Sequence, residues 1–206
     1  MALIIRSGNG TTDEATVDPT SKALRITEYK ADGNYGWLDN LPTYSAFCTA
    51  FTPPATPTDV FSILGSASKT IAILRAMMST VQTTAGVNAW YLAKRSTAYT
   101  GGVAVAATGL PHDSADAAPS AVAQWWTTLF TGGGSLVGNY WAGRINSPAP
   151  ATAGIGGILT AEVDFVRLFG KPLILRGVGQ SLSWNFLAVA LPAGLSVLAG
   201  FTWVEY

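Results

Sequence analysis

From Gly177 to Val204 the chain runs 28 residues without a charged side chain, and from Ala117 to Gly143 another 27. Uncharged runs of this length are what a membrane-spanning helix needs, roughly 20 mainly apolar residues. The first run fails on content, because it holds Gln180, Ser181, Ser183, Asn185, Pro192, Gly194 and Gly200. Its pattern belongs to a strand: Leu182, Trp184, Phe186 and Ala188 alternate with Ser181, Ser183 and Asn185, the period of two expected of a half-buried strand. Leu191-Pro192-Ala193-Gly194 supplies turn residues before a second alternating run through Val197, Ala199, Phe201 and Trp203. The region therefore reads as a β-hairpin, and no membrane partner is expected. Met1 to Gly10 holds a short apolar run with no basic region before it and no small-residue cleavage site, which is not the pattern of a signal peptide.

Charge is scarce and unevenly placed. Residues 1–40 hold 10 of the 24 charged side chains, and the remaining 166 residues hold 14. The opening segment is thus an ordinary solvated stretch, and the body is poor in charge. Ala23–Tyr29 reads as a short strand after Asp18-Pro19, and Ala31-Asp32-Gly33-Asn34 as a turn. Residues 1–45 are expected to be an N-terminal arm or edge hairpin. Phe51-Thr52-Pro53-Pro54-Ala55-Thr56-Pro57 reads as the linker, so that residues 46–206 form the main domain.

Beyond Asp59 the chain divides into short apolar runs separated by Gly, Pro, Ser and Thr. The expected strands are Val60–Leu64, Thr70–Val81, Val87–Lys94, Ala121–Thr128, Leu136–Ile145, Ile158–Phe169, Leu173–Val178, Leu182–Ala190 and Leu195–Tyr206. Ala115–Phe130 is rich enough in alanine for a helical turn or two, but Pro119 and Gly132-Gly133-Gly134 limit it. Many short strands with turns between them predict an all-β fold, a β-sandwich or jelly-roll-like domain with an extended N-terminal arm.

Candidate chemistry is thin. A net charge of zero argues against nucleic acid as a partner, since a phosphate backbone selects a basic surface. One cysteine, Cys48, excludes an intrachain disulfide framework, and one histidine, His112, cannot build a multi-histidine metal site. His112 stands beside Asp113, Ser114 and Asp116, but sequence neighbours rarely converge as nucleophile, base and acid, and the Gly-x-Ser-x-Gly turn is missing. A polar loop is the plainer reading. Glu162 and Asp164, two apart in an expected strand, share one side of the sheet, as a glycosidase pair would. Arg167, Lys171 and Arg176 make ordinary ion pairs the better account. Asp32-Gly33-Asn34 lacks the rest of a calcium loop, Gly132-Gly133-Gly134 lacks the Lys-Ser/Thr of a phosphate loop, and Lys94-Arg95 is too short for a basic patch. No catalytic, cofactor or metal residue is assigned, and no enzyme is expected.

Seven tryptophans are the strongest residual feature. In an extended Trp125-Trp126 the two side chains point to opposite faces, so one is expected to be exposed or in an interface. Core packing and subunit contact explain the aromatic set better than a glycan platform does. The expected interface residues are Tyr35, Trp37, Trp125, Trp126, Tyr140 and Trp141. A body this poor in charge exposes apolar surface, which other subunits would cover.

Several segments resemble tailed-bacteriophage virion structural proteins. They are Val17–Thr27, Ser68–Ile71 leading to Thr83–Val87, Tyr91–Gly102, Val105–Asp116 with its Pro111-His112-Asp113-Ser114, Gly170–Val178 and Thr202–Tyr206. The resemblance covers most of the chain through strand and turn patterns. It implies a non-enzymatic virion component, assembled in the bacterial host cytoplasm, and carries over no active-site residue. Trp125, Trp126, Tyr140, Trp141 and Leu195–Phe201 are more apolar than that pattern. The expected function is a capsid decoration (cement) protein, a homo-oligomer and specifically a trimer, with the major capsid protein or other virion proteins as partners. A tail or fibre-associated protein is the alternative, and a carbohydrate-binding module the third reading.

Overall fold

The computed structural model describes residues 16–17, 24–25, 41–54, 58–147, 159–186 and 191–206. The chain divides into two compact units, 1–41 and 42–206. In the first, β1 (Thr16–Val17) pairs antiparallel with β2 (Leu24–Arg25). Leu24–Arg25 lies inside the strand expected at Ala23–Tyr29, whose other residues fall outside the described ones.

The second unit is a sandwich of two antiparallel sheets. Its strands are β3 (Thr43–Phe47), β4 (Asp59–Leu64), β5 (Thr70–Val81), β6 (Gly86–Arg95), β7 (Val103–Ala107), β8 (Leu110–Pro111), β9 (Val122–Thr128), β10 (Leu136–Ser147), β11 (Leu159–Asp164), β12 (Leu173–Arg176), β13 (Ser181–Phe186) and β14 (Ser196–Glu205). One sheet runs β10-β6-β13-β4-β9-β7; the other runs β11-β5-β14-β3-β8, with β12 also pairing β5. The all-β sandwich expected from the alternating runs is therefore present.

The core lies between the sheets. Phe61 of β4 stacks on Phe201 of β14 at 5.4 Å between ring centroids, with an interplanar angle of 10°, and both rings are fully buried. Trp184, Phe186, Leu92 and Ile63 from the first sheet meet Trp203, Ile71, Ile73 and Met78 from the second. On β13 the inward residues Leu182, Trp184 and Phe186 alternate with Ser181, Ser183 and Asn185, so the sequence alternation is realised in the sheet.

Three expectations change. The hairpin at 182–206 does not form, because β13 lies in one sheet and β14 in the other, and Leu191-Pro192-Ala193-Gly194 crosses between them. Both strands have one buried face in either arrangement, so their alternation is blind to which sheet each joins. The run expected as one strand over Ile158–Phe169 ends at Asp164, whose carboxylate accepts the Arg167 amide (2.8 Å) and caps a short helix, α1 (Phe165–Phe169). Gly170, at φ 71°, closes that helix. The Pro-rich linker is partly core: Phe51 bridges Val197 and packs against the core, and β3 spans the expected boundary at residue 45. The strand expected over Thr70–Val81 is present as β5, and it switches its inward face part-way. Ile71 and Ile73 are buried, but further on Ala76, Met78 and Thr80 are buried while Val81 is exposed. A bulge leaves Leu74 as an extra residue, since Thr202 faces Arg75 and Trp203 faces Ile73.

The edge strand β10 carries two further register shifts, at Leu136/Gly138 and Asn139/Trp141. On the outward face of the second sheet, Phe47 lies across Gly200, where an added Cβ would fall 2.2 Å from the ring.

The Phe61–Phe201 stack is the contact that most directly ties the sheets together. Phe61→Ala should lower unfolding free energy by about 3–5 kcal/mol, read by chemical denaturation; a loss under about 1 kcal/mol would mean the site collapses around the missing ring.

Candidate functional site

Part of the first sheet's outward face is covered by the chain itself. Residues 96–102, after β6, and 129–134, after β9, fold over it and pair with each other: Thr100 N–H donates to the Gly132 carbonyl (2.9 Å) and Thr131 N–H to the Thr100 carbonyl (3.0 Å). Gly102, at φ 79°, makes the turn possible, since a Cβ there would sit 2.7 Å from the Phe130 nitrogen.

Beneath this strap lies a polar cluster. Asp59, at the start of β4, is fully buried. Arg95, at the end of β6, grips it with two bonds, Nε to Oδ2 (2.5 Å) and Nη2 to Oδ1 (3.0 Å). The Tyr99 hydroxyl donates to Oδ2 (2.7 Å), and the Asn185 amide donates to Oδ1. The Tyr99 oxygen also lies within reach of Ser183 (2.5 Å), Ser62 (3.1 Å) and Ser181 (3.4 Å). Burial first, and then the Asp59 charge, push the Tyr99 phenol far above its ordinary pKa, so it keeps its proton. Asp59 thus accepts four hydrogen bonds, two on each oxygen. The cluster fastens β4, β6, β13 and the strap to one another. The groups that donate to Asp59 stand 36 to 126 residues from it in sequence, and no local motif announces them.

Trp125 and Trp126 point to opposite faces, as expected, but neither is exposed. Trp125 points inward at the sandwich rim, 6.1 Å from Phe51, and is only partly buried. Trp126 points outward yet is 4% exposed, because Tyr99 (5.1 Å) and Phe130 (5.0 Å) cover it. Trp141 packs between Trp90 (6.3 Å) and Trp184 (6.2 Å). Tyr140 is exposed at 45%. Tyr35 and Trp37 lie outside the described residues, as does Asp32-Gly33-Asn34.

The remaining candidates are dispersed. His112 meets not Ser114 but Ser45: the Ser45 hydroxyl is 2.8 Å from His112 Nε2 and 2.9 Å from the Thr202 hydroxyl. Asp113 accepts the Ala115 amide (2.9 Å) and so serves its own turn. The pair has the nucleophile–base contact of a hydrolase, but no carboxylate among the described residues hydrogen-bonds the imidazole. Glu162 pairs with Arg75 (2.7 Å) while Asp164 caps α1, so the two carboxylates hold separate structural jobs. Lys94 donates to the Ile174 carbonyl (2.8 Å) across the sandwich, and its pKa is lowered by burial and then by Arg176. Buried Cys48 accepts the Ala199 amide (3.0 Å), and burial pushes its thiol up.

A separate polar bracket joins β14, at its C-terminal end, to the chain leading into β9 of the other sheet. Glu205 is buried and accepts the Ser120 and Ala121 amides (2.9 Å each), the Ser120 hydroxyl (2.6 Å) and the Trp203 indole N–H (3.0 Å). Burial alone would raise its pKa; these hydrogen bonds outweigh that and hold it below the ordinary value.

Beside the strap, Tyr99, Trp126, Gln124, Ser181, Leu64 and Val178 line a cavity of about 240 Å³. No protein-family model matches this chain, and neither a curated protein nor a solved structure matches it.

Removing Arg95 would leave the Asp59 carboxylate buried and unpaired. Arg95→Ala should therefore cost about 3–5 kcal/mol in chemical denaturation, and a cost under about 1 kcal/mol would show that water reaches Asp59. Because the folded pKa of Glu205 lies below its unfolded one, its contribution is complete above the unfolded value. It is lost as pH falls from there through the folded value. Melting temperature followed from neutral pH into the acid range should fall less steeply for Glu205→Gln than for the parent; parallel curves would remove Glu205 as a source of acid sensitivity.

Proposed function

We propose that this chain is a non-enzymatic structural protein of a tailed-phage virion, a decoration subunit that cements the capsid through oligomeric contacts. The observation that carries the reading is the way the sandwich spends its charge. Only 14 charged side chains serve residues 41–206, and Asp59, Arg95 and Glu205 are taken out of solvent in internal brackets. The exterior is left poorer still, with large apolar side chains on it. Leu136, Val137 and Tyr140 on β10 and Leu168 and Phe169 at the end of α1 are all exposed. Apolar surface of this kind favours association, and a stable contact needs about 800 Å² from each partner.

A rigid sandwich with satisfied internal polar brackets suits a subunit that must hold shape under load. A cement subunit adds buried area at the seams between capsomers, where pressure from packaged DNA pulls neighbours apart. In this reading the protein forms a homotrimer, binds the major capsid protein and resides on the virion. The resemblance of its strand and turn segments to phage virion proteins points the same way.

Light scattering of the purified protein across a dilution series should give a stable trimer mass; a monomer at every concentration would overturn the building-block reading. Counting copies in purified particles then places it. Many copies spread over the head fit a decoration protein, while a few confined to the tail would move the assignment to a tail or fibre component.

A further inference from the structure

We propose that the cavity beside the strap is a binding site for one neutral sugar ring of a glycan. This inference goes beyond the assembly role and does not depend on it. The cavity, about 240 Å³, lies between the strap, β7, β9 and the turn before β13. A cavity of roughly 150 Å³ is known to admit benzene, so this one takes a six-membered ring with substituents. No charged side chain lines it. A charged ligand would lose water there and find no counter-charge, which excludes ionic ligands.

The walls divide into two kinds. Leu64, Val178 and the rings of Tyr99 and Trp126 are apolar, whereas Gln124 and Ser181 bring an amide and a hydroxyl. Trp126 adds an indole N–H that is buried and has no hydrogen-bond partner. A purely hydrocarbon ligand would strand the Gln124 amide. A pyranose presents C–H faces to the apolar wall and hydroxyl groups, each both donor and acceptor, to Gln124 and Ser181. Val178, 60% exposed, stands on the lining, so the rest of a glycan chain can continue into solvent. The Tyr99 strap forms part of the wall, and the Asp59 network that pins Tyr99 thereby fixes the site before any ligand arrives.

The test is ligand-observed saturation-transfer NMR on the full chain with free glucose, galactose, mannose and N-acetylglucosamine. At least one should receive saturation with a dissociation constant in the millimolar range, as a single-ring ligand predicts. Ala104→Leu, at an exposed position on the cavity rim, should abolish the signal by filling the space. Gln124→Ala should weaken it about fivefold, the size of one neutral hydrogen bond. Unchanged melting temperatures would show that both variants are folded. Transfer that is absent for all four sugars, or equal in parent and Ala104→Leu, overturns the site. Transfer to indole or benzyl alcohol but to none of the sugars overturns the ligand class.

Discussion

A carboxylate in a place without water determines how the first sheet is finished. Asp59 begins a strand whose neighbours are nearly all buried, and an isolated charge there would be prohibitive. Its four hydrogen bonds come from three directions: β6 through Arg95, β13 through Asn185 and the strap through Tyr99. Each donor is thereby fixed in place, and so is the chain that carries it. The strap holds Tyr99 against Trp126 and Phe130, which gives the outward face a small apolar layer of its own. A pair of this kind adds less net stability than its geometry suggests, because both ions lose their water. What it adds is uniqueness: no shifted register of β4, β6 or β13 would satisfy the same donors.

Strands with one face on the core were legible in the sequence, because burial writes a period of two into the residues. Ser181–Phe186 and Ser196–Glu205 are clear for that reason. Three strands left no such mark. Thr43–Phe47 is short and sits just after Pro42; Val103–Ala107 is mostly alanine and valine with four of its five residues not buried; Leu110–Pro111 is two residues long. Sheet membership was also hidden, since β13 and β14 look alike whether they pair or face each other across the core. The bulge at Leu74 shows a finer limit. Arg75 breaks the apolar parity in the sequence, and the physical cause is an inserted residue that turns the rest of the strand over.

The polar clusters were less legible than the fold. Asp59, Arg95, Tyr99 and Asn185 are unremarkable in their local surroundings, and only the pairing of β4, β6 and β13 brings them together. The one sequence cue was an aspartate heading an otherwise apolar run, Asp59-Val60-Phe61-Ser62-Ile63-Leu64. His112 illustrates the converse. Its neighbours Asp113 and Ser114 drew attention, while its hydroxyl partner, Ser45, is 67 residues away. Trp126 shows why direction and exposure are separate questions: it points out of the sheet and is nevertheless covered by its own chain.

The two irregularities in β10 bear on crowding. A straight outer strand offers a second molecule a ready ladder of amides and carbonyls, and such ladders extend without limit. At Leu136/Gly138 and again at Asn139/Trp141 the spacing of those groups is broken, so a copy cannot zip along the first part of this margin. Molecules that meet there touch through side chains such as Leu136, Val137 and Tyr140 instead of adding strand to strand. Contact of that kind is a matter of side-chain fit, which, unlike a strand ladder, does not continue itself from copy to copy.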